Sequence, residues 1–298
     1  MGKGSDNAQI GLTAETLRQL ELMSLKARRA FLGTRSGGHR SLRRGHGIEF
    51  SDYRAYELGD NPRHIDWGVF GRTDKVVVKR FQEEQNLAVL IILDGSRSMF
   101  LPDEDRKFQR GAEIALALTY VALQQHDSVS LLVPGAYRSP RLTTGSSFHH
   151  VAEALNHLTP APAMQFVKQA AAASEIAKHP GLCVVISDFL FEADDVRAGF
   201  FALSARGLDC HAVRVVGESD LNPFAAGGQG FIARDSESEQ RVSVSADGAG
   251  AYQVAFDSHA RDLTKALSQT RTSLGVSRAN APLSEALFKI LPTLGVFE

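Results

Sequence analysis

Two cysteines, one tryptophan and a net charge of −1 are all this 298-residue chain has of those three commodities. Two cysteines exclude a disulfide-stapled scaffold. Cys183 and Cys210 both fall in apolar strand candidates, so the expectation is two buried thiols, with a reducing cytoplasm as the simplest setting. A balance of 33 Lys and Arg against 34 Asp and Glu gives bulk electrostatics no means of selecting a nucleic acid or a membrane surface. No apolar run approaches the ~20 residues a membrane helix needs, and Met1-Gly-Lys-Gly-Ser-Asp6 lacks the apolar core of a signal peptide. Nucleotide loops are missing too. Gly33 to Arg40 contains no G-x-x-x-x-G-K-[ST], and Gly45-His-Gly47 lacks the third glycine of a dinucleotide loop, so any nucleotide dependence is expected from a partner. No repeat or low-complexity tract stands out.

What is present is one concentrated apolar run. Leu87 to Leu93 reads Leu-Ala-Val-Leu-Ile-Ile-Leu and is followed by Asp94-Gly95-Ser96-Arg97-Ser98-Met99. Such a run suits a strand buried on both faces of a parallel sheet, and ligands collect where such strands end and turn towards a helix. D-x-S-x-S places one carboxylate and two hydroxyls on one loop, the oxygen donors a hard cation such as Mg²⁺ takes. The plainer reading of the same residues is an Asp/Ser turn capping the next helix. A second apolar run, Leu182 to Ile186, ends in Ser187-Asp188-Phe189. If the two strands are neighbours, Asp94 and Asp188 meet at one sheet edge.

From Asn86 the patterns alternate. Helices are predicted over 105–125, 147–158, 165–178, 196–205, 258–272 and 283–291, the last introduced by Pro282. Strands are predicted over 128–133, 182–186, 208–216 and 252–256, with a short edge piece at 139–142 and room for a hairpin in the loop-rich 220–250. The first helix carries small residues that permit close approach to the sheet. Regular alternation predicts a mainly parallel sheet with helices on both faces.

Upstream, Thr13 to Leu32 reads as a helix capped by Thr13. Lys26, Arg28, Arg29, Arg35, Arg40, Arg43 and Arg44 follow in a glycine-rich stretch without acidic residues. They form either a phosphate-facing patch or a solvated surface that docks an acidic partner. The scarcity of interleaved aromatics favours the surface. Residues 51–84 alternate charges with aromatics. Arg54, Asp60, Arg63 and Asp66 around Trp67 predict a buried, mutually paired network that fixes a loop. It is read as structural, because no His or Cys nucleophile is positioned beside Asp66. Residues 75–81 are predicted as a strand with 63–70 as hairpin mate. The division expected is 1–85 as an N-terminal segment and 86–298 as the α/β domain.

Two motifs carry a family resemblance. Gly47-Ile-Glu49-Phe50 precedes Asp52-Tyr-Arg54-x-Tyr56-x-x-Gly59-Asp60-x-x-Arg63-x-Ile65-Asp66-Trp67, which leads through Val76 to Glu84 into the Asp94 strand. This series resembles a bacterial domain-of-unknown-function family often encoded beside MoxR-type AAA+ ATPases. The Asp94 to Met99 loop is similar to the metal-ion-dependent adhesion site of von Willebrand factor A domains. The resemblance runs from about Gly37 onward. It implies a von Willebrand factor A-like (Rossmann-like) α/β fold with an N-terminal helix and β-hairpin appendage. It also implies an Mg²⁺ site held by Asp94, Ser96, Ser98 and Asp188. Members often carry N-terminal membrane segments; none is expected here. One departure stands out. Where the family shows Thr-Asp-Leu before the helix starting near Gln165, this chain has Pro162-Ala163-Met164. Thr159 is the candidate substitute, with Thr143 and Thr144 as weaker ones, and water can fill a lost neutral ligand position at some loss of affinity.

The resemblance implies a metal-dependent protein-interaction module. An open metal position would accept a carboxylate from a MoxR-type AAA+ ATPase, or from its client, in chaperone-like remodelling or assembly. A Mg²⁺-dependent phosphohydrolase is the enzymatic alternative, but Ser96 stands where such enzymes place a second carboxylate. Nucleic-acid binding through Lys26 to Arg44 is the third reading, and it predicts a steep salt dependence.

Overall fold

A computed structural model describes residues 9–26, 48–83, 87–177, 181–224, 231–234, 241–244 and 248–298. They fall into two units: residues 48–83 form one, and residues 9–26 with those from 87 onward form the other.

The first described element is helix α1 (Ala14–Leu20), where the Thr13 hydroxyl accepts the Thr16 N–H at 3.2 Å. The helix stops well short of Leu32. Ser24 instead exchanges backbone hydrogen bonds with Glu298, at 3.0 and 2.8 Å, and Lys26 pairs with Glu298 at 2.7 Å. The Asn156 side chain accepts the Ile10 N–H at 2.7 Å. The N-terminal helix thus belongs to the α/β unit. Arg28 through Arg44 lie outside the described residues.

In the smaller unit, β1 (Ile48–Ala55) pairs antiparallel with β2 (Val77–Glu83), with a bulge between Phe50 and Asp52. The strand's mate is therefore β1, not residues 63–70, which form a 3₁₀ turn (Pro62–His64) and helix α2 (Trp67–Thr73). The reason is Asp66. One of its carboxylate oxygens accepts the N–H groups of Gly68 and Val69, at 3.0 and 3.2 Å, which starts a helix where a strand was expected. The expected buried network resolves into two local devices. Arg54 clamps Asp60 at 2.6 Å and Glu57 at 3.0 Å, closing the loop after β1, while Asp66 caps α2 and accepts the Tyr53 hydroxyl at 3.0 Å. Arg63 is exposed, and Trp67 is 63% exposed, edge-on to Phe70. Backbone demand at the helix start took the carboxylate that the network would have used.

The larger unit is organised on β3 (Ala88–Leu93). After it come the short helix α3 (Arg97–Phe100), α4 (Lys107–Gln124), β4 (Ser128–Val133), β5 (Tyr137–Arg138), α5 (Ser147–Asn156) and α6 (Phe166–Ile176). The chain continues through β6 (Gly181–Ser187), α7 (Ala193–Ala205), β7 (Leu208–Val216), α8 (Glu218–Leu221), the hairpin β8 (Phe231–Arg234) and β9 (Arg241–Val244), α9 (Gly248–Gln269) and β10 (Ser273–Arg278). Helical turns over 283–294 follow. The sheet order is β10-β7-β6-β3-β4-β5, parallel except for β5. This is a mostly parallel, Rossmann-like α/β sheet covered on both faces. Val89, Ile91 and Leu93 pack towards α4 and α5, while Leu90 and Ile92 pack towards α6, α7 and α9. At Gly111 of α4 a Cβ would lie 2.8 Å from Leu93 Cδ1, so a larger residue would have to displace the Leu93 side chain for the helix to sit this close to the strand.

Two elements differ from the predicted pattern. Residues 252–256 are not a strand but lie inside α9. Their alternation is outweighed by a helical stripe: Tyr252 and Phe256 stack one turn apart at 6.1 Å, Leu263 and Leu267 continue the buried face, and Val254 is exposed. The second is β10, a strand the pattern did not predict, which forms one edge of the sheet, with β5 at the other. Cys183 and Cys210 face each other across β6 and β7, buried and unbridged. Among the described residues no helix is long and apolar enough to cross a membrane.

Candidate metal centre

The order of the strands creates the site. From β3 the chain steps outward to β4, then returns across β3 to β6 and continues to β7 and β10. The β3–β6 crevice is therefore the point where the winding reverses, and ligands of open α/β sheets bind outside the carboxyl ends of strands at such a point. Leu93 pairs with Ile186, so Asp94 comes level with Ser187 and Asp188 sits one residue further out. The predicted meeting of the two strand ends occurs.

Asp94 is fully buried. Its Oδ1 accepts the Ser96 N–H at 2.9 Å, and its Oδ2 accepts the Ser187 hydroxyl at 2.6 Å. Burial, then the negative charge of Asp188, push its carboxyl up to about 6, against the pull of the Ser187 and Ser96 hydrogen bonds. Ser96 and Ser98, both buried, bring their Oγ atoms within 3.0 Å of each other. Ser96 stands at the N-cap of α3 but makes no side-chain cap bond, while the turn into the helix is formed by Asp94 Oδ1 on the Ser96 N–H.

Asp188 is buried as well, and its partner is a residue not foreseen from the sequence. Lys107, 2% exposed at the first position of α4, donates to Asp188 Oδ2 at 3.2 Å and to the Asp220 carboxylate at 3.2 Å. A signal was present. Lys107 lies on the same helical stripe as Gly111, Ile114 and Leu118, where a charge is out of place unless paired. Arg214, on the buried strand β7, is likewise a buried charge. Its Nε donates to the Asp188 carbonyl at 3.1 Å, and its guanidinium lies 5.0 Å above the Phe256 ring.

A third loop joins the two carboxylate loops. The Ala161 N–H donates to the Gly95 carbonyl at 2.7 Å, and Ser96 and Ala161 form a parallel bridge. Thr159 is on this loop, two residues before Ala161 and exposed. Thr143 and Thr144 are exposed ahead of α5, where the Thr144 hydroxyl meets those of Ser146 and Ser147.

The donor set suits a hard cation. Among the described residues no group of three or more His, Cys, Asp or Glu could hold a metal, so an ion here would draw on the serine hydroxyls along with Asp94 and Asp188. Two adjacent ligands of an octahedral ion bound at about 2.1 Å are about 3 Å apart, and the Ser96 and Ser98 oxygens have that separation. A cation would also turn the unfavourable approach of two buried carboxylates into a favourable one.

Comparison with known proteins agrees on lineage. The chain is 27% identical over 184 residues to the "Uncharacterized protein Rv1480" of Mycobacterium tuberculosis (strain ATCC 25618 / H37Rv), covering 59% of this chain and 57% of that one. The same figures hold for "Uncharacterized protein Mb1516" of Mycobacterium bovis, so the chain spans 57% of the length of these relatives. Among solved structures, a conserved hypothetical protein BatB from Bacteroides thetaiotaomicron aligns with a TM-score of 0.43 and 12% identity, over 70% of this chain and 98% of that one. An aerotolerance-related membrane protein from Bacteroides fragilis aligns over the same shares with a TM-score of 0.42 and 15% identity. The family described as "Protein of unknown function DUF58" matches residues 52–265, well over half of the sequence, and the chain belongs to that family.

Proposed function

We propose that the protein is a metal-dependent interaction module of the von Willebrand factor A type. It would hold Mg²⁺ through Asp94, Ser96, Ser98 and Asp188 and recognise a carboxylate on a partner protein. The observation that carries this reading is the adjacency of two buried carboxylates, Asp94 and Asp188, just past the ends of the paired strands β3 and β6, with the buried Ser96 and Ser98 hydroxyls on the loop after Asp94, at the winding reversal of the sheet. Bound there, Mg²⁺ supplies an electrophilic position for an acidic side chain. Asp94 and the serines orient it, and exposed Leu101 and Leu190 on the two flanking loops give the partner apolar ground beside its carboxylate. The partner proposed is a MoxR-type AAA+ ATPase or its client, with this chain as adaptor in remodelling or assembly.

The test is capture of a purified MoxR-type ATPase from the same genome, with Mg²⁺ and with chelator. Capture that requires Mg²⁺ and disappears in Asp94→Asn supports the reading. Capture indifferent to chelator overturns its metal dependence. Mg²⁺-dependent hydrolysis of a generic phosphate ester, lost in the same variant, would replace it with the enzymatic alternative.

A further inference from the structure

A metal site does not by itself require a lysine, yet Lys107 is buried inside this one. Its ammonium lies between two carboxylates, Asp188 at 3.2 Å and Asp220 at 3.2 Å, with its side chain 2% exposed. A lysine is rarely buried so deeply without paired charges, because desolvation of the ammonium must be offset. We propose that Lys107 is a resident counter-cation of the metal centre. It neutralises Asp188 when no divalent ion is bound, competes with the ion for that carboxylate, and keeps Asp220 as its sole carboxylate partner when the ion takes its place. Lys107 thereby sets the affinity of the site. The inference rests on the metal-site reading above and deepens it.

The surroundings suit an exchange. Asp220 is held independently of Lys107: its Oδ2 accepts the Gly217 N–H at 2.9 Å, and its carbonyl accepts the Tyr252 hydroxyl at 2.7 Å. The neighbouring Ser219 N–H donates to both Asp105 oxygens at 3.2 Å. The second carboxylate that the ammonium already contacts is therefore fixed, and can keep it when Asp188 is taken. On the other side, Arg214 grips the Asp188 carbonyl and the Leu190 N–H reaches Asp188 Oδ1 at 3.3 Å, so the main chain of the loop stays in place while the counter-charge changes. Lysine is the suitable residue. Its compact charge on a flexible stem can turn from one oxygen to another, whereas an arginine fork would lock onto one carboxylate.

The experiment is calorimetric Mg²⁺ titration of the full chain as parent, Lys107→Met, Asp220→Asn and the double variant, with Ser98→Ala as a control of the site itself. Removing the competitor should tighten Mg²⁺ binding at least about tenfold, and removing its second carboxylate partner should weaken it by about tenfold. In the Lys107→Met background the Asp220→Asn effect should shrink to less than about twofold, because Asp220 acts through the lysine. An equal Asp220→Asn effect with and without Lys107, or Lys107→Met binding no tighter than the parent, overturns the proposal. If Lys107→Met folds only with Mg²⁺ present, its melting temperature should climb with Mg²⁺ far more steeply than the parent's. Asp220→Asn, which keeps the Lys107–Asp188 pair, then carries the binding test alone, and unchanged affinity there sinks the idea. A parent that binds Mg²⁺ no differently from Ser98→Ala removes the metal reading and this inference with it. Normal parent binding, weakened in Ser98→Ala but indifferent to Lys107 and Asp220, removes this inference only.

Discussion

The Ser187 hydroxyl donates a 2.6 Å hydrogen bond to Asp94 Oδ2, tying the end of β6 to the carboxylate at the end of β3. The same oxygen accepts the Phe189 N–H at 2.9 Å, so one hydroxyl holds both carboxylate-bearing loops in register.

Ser187→Ala leaves a fully buried carboxylate oxygen and a buried N–H without that partner. The loss should be about 1–3 kcal/mol of stability in chelator, read by urea unfolding. A variant as stable as the parent would show that the hydroxyl is not what sustains the buried charge.

Ser98→Ala removes an oxygen without opening a cavity. Mg²⁺ affinity and partner capture should fall together, while stability in chelator changes by less than about 1 kcal/mol. Equal Mg²⁺ affinity in parent and variant returns the loop to an ordinary strand-to-helix turn.

Asp127 supplies a pH dependence away from the site. Its buried carboxylate accepts the Leu87 N–H at 2.6 Å, and burial pushes its carboxyl up to about 6 from an ordinary value of 3.8. The folded protein then holds this proton more tightly than the unfolded chain. The group's contribution is fully present below about pH 4 and is lost as pH rises through about 6, by an amount of the order of 2 kcal/mol. Asp94 shifts in the same direction, so the parent should lose stability across this window. Asp127→Asn keeps an acceptor for Leu87 and should flatten part of that slope, as measured by unfolding free energies at pH 4 and pH 7.

Asp66→Ala removes the cap of α2. Local opening should become easier by about 1 kcal/mol, seen as faster hydrogen exchange at the Gly68 and Val69 amides, with Asp66→Ser restoring most of the protection. Unchanged exchange joined to lost partner capture would make Asp66 a functional residue.

The central strands β3, β4, β6 and β7 and their endings were legible in the sequence because each is a local matter. An apolar run that stops at a carboxylate reads as β3 followed by Asp94, and again as β6 followed by Asp188, whatever the rest of the chain does. The alternation of residues 208–216 with helical stretches likewise announced β7 and the parallel sheet. Residues 252–256 misled because five residues fit either period, and only the longer stripe through Tyr252, Phe256, Leu263 and Leu267, with Arg214 over the Phe256 ring, places them in α9. The paired network around Trp67 was misread for a related reason: composition shows that Asp66 carries a charge, not that a helix start will claim it. Lys107 showed locally only as a charge on the apolar stripe of α4. Its partners are 81 and 113 residues away, and only the sheet order brings Asp188 and Asp220 against it. Periodicity records how a segment buries its own side chains, whereas the counter-charges of a buried group come from segments that only the folded packing makes neighbours.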